Sequence, residues 1–362
     1  MKKSYLMIAA AAALFAACSS NDTFKEIDTL ETAITFNQGL YKTTRASIGS
    51  VANLATEGGF DVYGYKTTDN WATDGKFQEI FGSTVSNVNV GVQVYYENSA
   101  WKYDHLRFWD KNAKYNFYAV APHGPESGTY TIDKTRGSNT FGMITISNAA
   151  SNKYSASDDY LIDRDGATGI LGSDHTGASN AAVDIDFHHI MAKVTFALKS
   201  TLTSGTITVT NLTMAGWNNA TGTFVQAATQ TPTSIECSEW TLATPAVPGN
   251  VTLVGSGAGN NNVSLTCSAN ATATTLSDWY IMIPQAIAAN ALTFTVSYTY
   301  NDGNGYTETF TDQVATVADA KTWGTDSYTN YTLDIKPAEI KFNVTSICGF
   351  DVNGGNVDKT VE

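Results

Sequence analysis

The stretch Leu292-Thr293-Phe294-Thr295-Val296-Ser297-Tyr298-Thr299-Tyr300 decides the fold class. Leu292, Phe294, Val296 and Tyr298 fall on one side of an extended chain, with hydroxyl residues on the other. That two-residue period belongs to a strand with one face in a core and the other toward water. The turn-forming run Asn301-Asp302-Gly303-Asn304-Gly305 follows, and strand-like sequence resumes over 306–311, so the unit reads as a hairpin. Val90, Val92, Val94 and Tyr96 repeat the pattern, as do Ala192, Val194, Phe196 and Leu198. No stretch keeps a helical period beyond about three turns, and short helices are expected only near 48–55 and 314–321. The class is all-β, and short strands with frequent turns favour sandwiches.

A Gly/Ser/Asn/Ala-rich break over 173–182 precedes Val183-Asp184-Ile185-Asp186-Phe187. It sets a boundary between two β-sandwich domains in tandem, 46–182 and 183–362, each of ordinary domain size. The segment 18–45 stands apart, a polar linker followed by one isolated strand-like piece, Ala33-Ile34-Thr35-Phe36-Asn37.

The N-terminus addresses the chain. Met1-Lys2-Lys3 is basic, 5–17 is apolar, and Leu14-Phe15-Ala16-Ala17-Cys18 puts small residues before a thiol. This is a secretory signal, 1–17, too short to span a bilayer. Ending on cysteine, it resembles the lipobox of bacterial lipoproteins, with Phe15 where Leu is commoner. That resemblance implies a mature chain acylated, as by palmitate, on Cys18 and held at the outer membrane. Ordinary secretion with a chance cysteine is the plainer alternative.

The 362 residues carry 21 basic and 34 acidic side chains, a net charge of −13. Losing Lys2 and Lys3 with the signal takes it to −15. Such a balance argues against nucleic acid as a partner and against adhesion to anionic lipid through protein charge. Cys237, Cys267 and Cys348 remain, an odd number with no CxxC pair. They read as buried structural thiols, with a Cys237–Cys267 bridge permitted by position alone.

No catalytic, cofactor or metal constellation stands out. His188 and His189 are adjacent on a strand and point to opposite faces, so they do not chelate one ion; one is expected packed and one exposed. Asp163-Arg164-Asp165-Gly166 lacks the spacing of a calcium loop and reads as a polar turn. Asp158-Asp159 reads as the solvated end of a strand. Gly255-Ser256-Gly257-Ala258-Gly259 lacks the context of a phosphate cradle. Trp71, Trp101, Trp109 and Trp217 suit core packing better than a sugar platform.

Ordered signatures run along nearly the whole mature chain. They are Trp101-x-Tyr103, Leu106-Arg107-Phe108-Trp109, Tyr115-Asn116-Phe117-Tyr118-Ala119-Val120-Ala121-Pro122 and Asp159-Tyr160-Leu161-Ile162. Phe187-His188-His189-Ile190-Met191-Ala192-Lys193-Val194, Tyr280-Ile281-Met282-Ile283-Pro284-Gln285 and Trp323-Gly324 with Tyr328, Tyr331 and Leu333 follow. Behind a lipobox, this set resembles the fimbrillin family, subunits of type V pili of Bacteroidales. The resemblance implies two transthyretin-like sandwiches, no enzymatic activity, and polymerisation by strand exchange with other pilin subunits, head to tail, for cell adhesion. Asp159-Tyr160-Leu161 stands where that family often has Asp-Leu-Leu, and the Trp-rich C-terminal ending is missing.

The residues fit that mechanism. A sheet missing a strand invites another chain to fill it. Ile34-Thr35-Phe36-Asn37 and Ile340-Lys341-Phe342-Asn343 share the pattern Ile-x-Phe-Asn, so each presents Ile and Phe on one face. Ile34 and Phe36 are candidate residues of a removable plug strand. Tyr331, Leu333 and Ile335, then Ile340, Phe342 and Val344, are candidates for a two-stranded donor arm over about 328–348, interrupted at Pro337. The alternative is that both strands complete their own domain. Thr43-Thr44-Arg45-Ala46-Ser47 supplies a basic residue in a small polar loop, a suitable nicking site between Arg45 and Ala46. A monomeric glycan-binding lipoprotein and a lipid-retaining anchor subunit remain alternative functions.

Overall fold

The computed structural model describes residues 32–40, 51–68, 78–85, 88–123, 143–146, 159–163, 167–175, 180–225, 239–337 and 339–348. Strand pairing dominates it. The first half carries β1 (Phe36–Leu40), the six-residue helix α1 (Val51–Thr56), β2 (Phe60–Thr67) and β3 (Gln78–Phe81). There follow β4 (Ser83–Val85), β5 (Val88–Val90), β6 (Val92–Glu97), β7 (Ala100–Lys102) and β8 (Lys114–Ala121). Then come β9 (Met143–Ile146), β10 (Leu161–Asp163), β11 (Ala167–Leu171) and β12 (Val183–His189).

One sheet runs β1-β12-β10-β8-β2-β6-β7, with β3 added to β2 and β11 to β8. It curls on itself. Phe60 of β2 touches Trp101 of β7 on one side and Phe187 of β12 on the other, at ring separations of 5.0 and 5.2 Å. Alternation along β2 and β8 sorts their side chains between two cores. Phe60, Val62, Phe117, Ala119 and Ala121 line the inside of the curl with Ile34, Phe36, Ile185 and Phe187. Tyr63, Tyr65, Tyr118 and Val120 point the other way, into the core of the second half. A sheet covered on both faces needs apolar residues at successive positions, and the fully buried run 117–121 meets that need.

The second half begins with β13 (Ala192–Lys199), β14 (Thr206–Asn218), β15 (Gly222–Val225) and β16 (Trp240–Leu242). It continues through β17 (Pro248–Val254), β18 (Val263–Thr266), β19 (Thr274–Met282), β20 (Gln285–Ile287) and β21 (Thr293–Asn301). It ends with β22 (Thr307–Thr316), β23 (Lys321–Trp323), β24 (Ser327–Lys336) and β25 (Glu339–Cys348). Two sheets, β19-β13-β24-β25 and β17-β14-β21-β22, face each other as a sandwich. Phe196, Phe294 and Tyr331 meet at its centre, with ring separations of 5.7 to 6.1 Å.

Several expectations change. Val183–His189 pairs with β10 and β1, so it closes the first sheet rather than opening the second domain. The alternation marked a strand correctly, but nothing local says which sheet a strand joins. Ile190 and Met191 link β12 to β13, and β9 pairs with β15. Residues 314–316 extend β22, and no helix forms over 314–321. His188 and His189 are both buried, because the sheet they end is covered on both faces. Asp159, expected at a solvated strand end, is fully buried there. Cys267 is a buried free thiol, while Cys237 lies outside the described residues.

Candidate assembly site

The leading segment 32–40 reaches from one edge of the first sheet to another. At its start, Ala33 bridges Phe108 in antiparallel fashion. The Ile34 amide donates to the Arg107 carbonyl at 2.8 Å, and the Trp109 amide donates to the Thr32 carbonyl at 3.0 Å. From Thr35 onward the segment leaves that edge. The Val183 amide donates to the Thr35 carbonyl at 2.8 Å, and β1 then runs parallel to β12, Phe36 opposite Val183 and Leu40 opposite Phe187.

Side chains fix the segment in register. Ile34 is fully buried and Phe36 nearly so. The Phe36 ring packs edge-on against Phe81, Phe117 and Tyr103 at 5.2, 5.5 and 5.9 Å. The Tyr103 hydroxyl donates to the Ile34 carbonyl at 2.6 Å, and burial pushes that hydroxyl's pKa upward. Asn180 joins both sides: its amide donates to the Ala33 carbonyl, and its oxygen accepts from the Trp109 indole, each at 3.1 Å.

Arg107 braces the receiving edge. Its guanidinium lies 4.5 Å above the Phe81 ring and donates to the carbonyls of Ile80, Asp104 and His105. Partial burial lowers its pKa, and Tyr103 opposes that shift. Sequence reasoning gave Tyr103, Arg107 and Asn180 no role. Leu106-Arg107-Phe108-Trp109 was legible as a signature, but only its contact with residues 32–34 shows what it holds.

At the other end of the chain the two halves of the expected donor arm differ. β24 lies inside its sheet, parallel to β13 and antiparallel to β25. Tyr331, Leu333 and Ile335 are fully buried, and the Trp323 indole donates to the Tyr331 hydroxyl at 3.0 Å. Among the described residues β25 is an edge strand paired to β24 alone, from Lys336–Glu339 to Ser327–Cys348. Ile340 sits opposite Ile335 and Phe342 opposite Leu333, and Val344 is buried. Pro337 therefore lies in a tight hairpin turn between them. For Ile340 and Phe342 the backbone alone is described. Cys18, Arg45, Ala46 and Cys237 lie outside the described residues. Trp71 lies outside them too, while Trp109 and Trp217 are packed inside the protein.

The fimbrillin-like family model matches residues 44–347. Over 197 residues the chain is 26% identical to Fimbrium subunit Fim1C of Phocaeicola vulgatus, covering 53% of this chain and 50% of that relative. The chain thus spans about half the length of the curated relative it matches. A crystal structure of a fimbrial protein from Bacteroides vulgatus superposes with a TM-score of 0.59 at 19% identity, over 87% of this chain and 98% of the other. A fimbrial assembly protein from Parabacteroides distasonis aligns at 13% identity over 88% of this chain and 96% of its own, with a TM-score of 0.36. The family is one of fimbrial structural subunits rather than enzymes. With its all-β sandwich architecture and a model match over most of its length, the chain belongs to the fimbrillin-like family.

Proposed function

We propose that this chain is a shaft-forming or terminal subunit of a cell-surface fimbria that serves adhesion and is assembled by strand exchange. It is made as an outer-membrane lipoprotein precursor acylated on Cys18. Cleavage between Arg45 and Ala46 separates the leading segment from the folded body and the body from its lipid anchor. The segment 32–40 then leaves, and β25 of a neighbouring subunit takes its place.

One observation supports this reading above the others. The leading segment closes the first sheet by bridging the 107–109 edge and β12, with Ile34 and Phe36 in its core. Once removed, it leaves two open backbone edges above an apolar pocket, which a strand of matching pattern fills. Each buried Ile or Phe contributes roughly 1.5–3 kcal/mol, so the vacancy is strongly unfavourable until it is refilled. β25 is the better donor than β24. It is held by one neighbour, whereas removing β24 withdraws Tyr331, Leu333 and Ile335 from the centre of the sandwich.

The test is the N-terminal sequence of subunits sheared from the cell surface, set beside the mass of the lipid-labelled form. Surface subunits beginning at Ala46, with acylated precursors beginning at Cys18, agree with the proposal. Fibre subunits that retain Cys18 and the 32–40 segment overturn it.

A further inference from the structure

We propose that Asp184 on β12 selects the strand that replaces the leading segment, and that it recognises Lys341 and Asn343 of a second copy of this chain. This rests on the strand-exchange reading and adds to it a residue that tells one donor strand from another.

The leading segment shows what Asp184 holds. β1 runs parallel to β12, with Phe36 opposite Val183 and Asn37 opposite Asp184. Ile34 and Phe36 point into the core, while Thr35 and Asn37 are exposed on the outer face, as Asp184 is. There the Asn37 side-chain amide donates to Oδ1 of Asp184 at 3.2 Å. Thr35, two residues back on that face, is a diagonal neighbour of Asp184, near enough for a long side chain to reach it. Residues 32–40 contain no lysine or arginine, so the segment brings an amide to this carboxylate but no cation.

β25 carries the amide and the cation in the matching order. The pattern Ile-x-Phe-Asn has a direction. Matching Ile340 to Ile34 and Phe342 to Phe36 therefore sets Asn343 in the place of Asn37 and Lys341 in the place of Thr35. Asn343 repeats the donor, and Lys341 adds a positive charge diagonal to Asp184. An exposed pair of this kind adds little affinity, but it penalises strands that bring a like charge and speeds encounter with those that do not. Such sorting matters in a chain with 34 acidic side chains against 21 basic ones.

The donor's own body loses little at this position. Lys341 stands opposite Asp334 in the β24–β25 register. Asp334 keeps other partners when β25 departs. It accepts from the Thr201 amide at 2.9 Å and the Thr201 hydroxyl at 2.6 Å, and the Lys336 ammonium lies 3.6 Å away.

The experiment uses the full chain cut after Arg45 by an arginine-specific protease. It measures binding of two synthetic peptides, residues 337–347 and the same peptide with Lys341→Glu. The wild-type chain should bind the Lys341→Glu peptide roughly threefold to tenfold more weakly at low salt, and the gap should close near about 1 M salt. Asp184→Asn keeps an oxygen for Asn343 without the charge, and should bind the two peptides about equally. Asp184→Lys should reverse the preference, a gain for the Lys341→Glu peptide that a misfolded acceptor does not give. Equal binding of both peptides to the wild-type chain, or a preference that survives Asp184→Asn, overturns the role of Asp184 and leaves strand exchange standing. Failure of the 337–347 peptide to bind the wild-type chain overturns the strand-exchange reading and this inference with it.

Discussion

The imidazole Nδ1 of His189 lies 2.7 Å from Oδ1 of Asp159, and both side chains are shut away from water at the end of β12. Burial disfavours the charged imidazole, but the Asp159 charge and hydrogen bond, with Asp326 adding to them, outweigh it against the opposing charge of Lys193. The net shift is upward from 6.5. His123 shifts the same way, chiefly through its hydrogen bond to Asp61, with burial opposing and the Asp61 charge assisting.

A histidine whose folded pKa exceeds its unfolded value stabilises the fold fully below the unfolded pKa and loses that contribution as pH rises through the folded one. The contacts of His189 with Asp159 and of His123 with Asp61 should therefore contribute less stability as pH climbs above about 6.5 and passes through the raised folded values. Thermal melting across that window should show a falling Tm, and His189→Gln should flatten the dependence. An unchanged slope in the variant removes His189 as its source.

Phe36→Ala tests how firmly the leading segment is held. The ring touches three aromatic neighbours and is almost fully buried. Its truncation should destabilise the uncut chain by about 3–5 kcal/mol, as other buried Phe-to-Ala changes do. Urea denaturation measures this, and hydrogen exchange should rise first at the amides of Ile34 and Val183.

The two C-terminal strands should separate under mutation. Deleting residues 339–362 removes an edge strand and leaves β24 paired to β13, so the product should fold but build no oligomers. Tyr331→Ala instead opens a cavity between Phe196 and Phe294 and should cost about 3–5 kcal/mol of stability. Circular dichroism melts alongside an oligomer ladder distinguish the two results.

Gly216 interrupts β14 at a φ of 106°, where the register with β17 shifts between Ala215 and Asn218. A Cβ there would sit 1.9 Å from the Ala291 carbonyl oxygen. Gly216→Ala therefore combines a left-handed backbone with a backbone clash. It should lower stability by about 1–3 kcal/mol in a denaturant titration.

The sequence by itself determined the all-β class, because a two-residue apolar period has one structural meaning wherever it occurs. It also marked the hairpin at 301–305, the Ile-x-Phe pattern near both ends, and the ordered signatures of the family. Alternation reports which residues share a face, but not which neighbour that face meets. Only the tertiary structure decided that β12 belongs to the first sheet, that Asp159 and both histidines are buried, and that β24 is interior while β25 is an edge. The same limit hid the roles of Tyr103, Arg107 and Asn180. Their partners in the leading segment lie about 70 or more residues away along the chain, and folding alone brings them into contact.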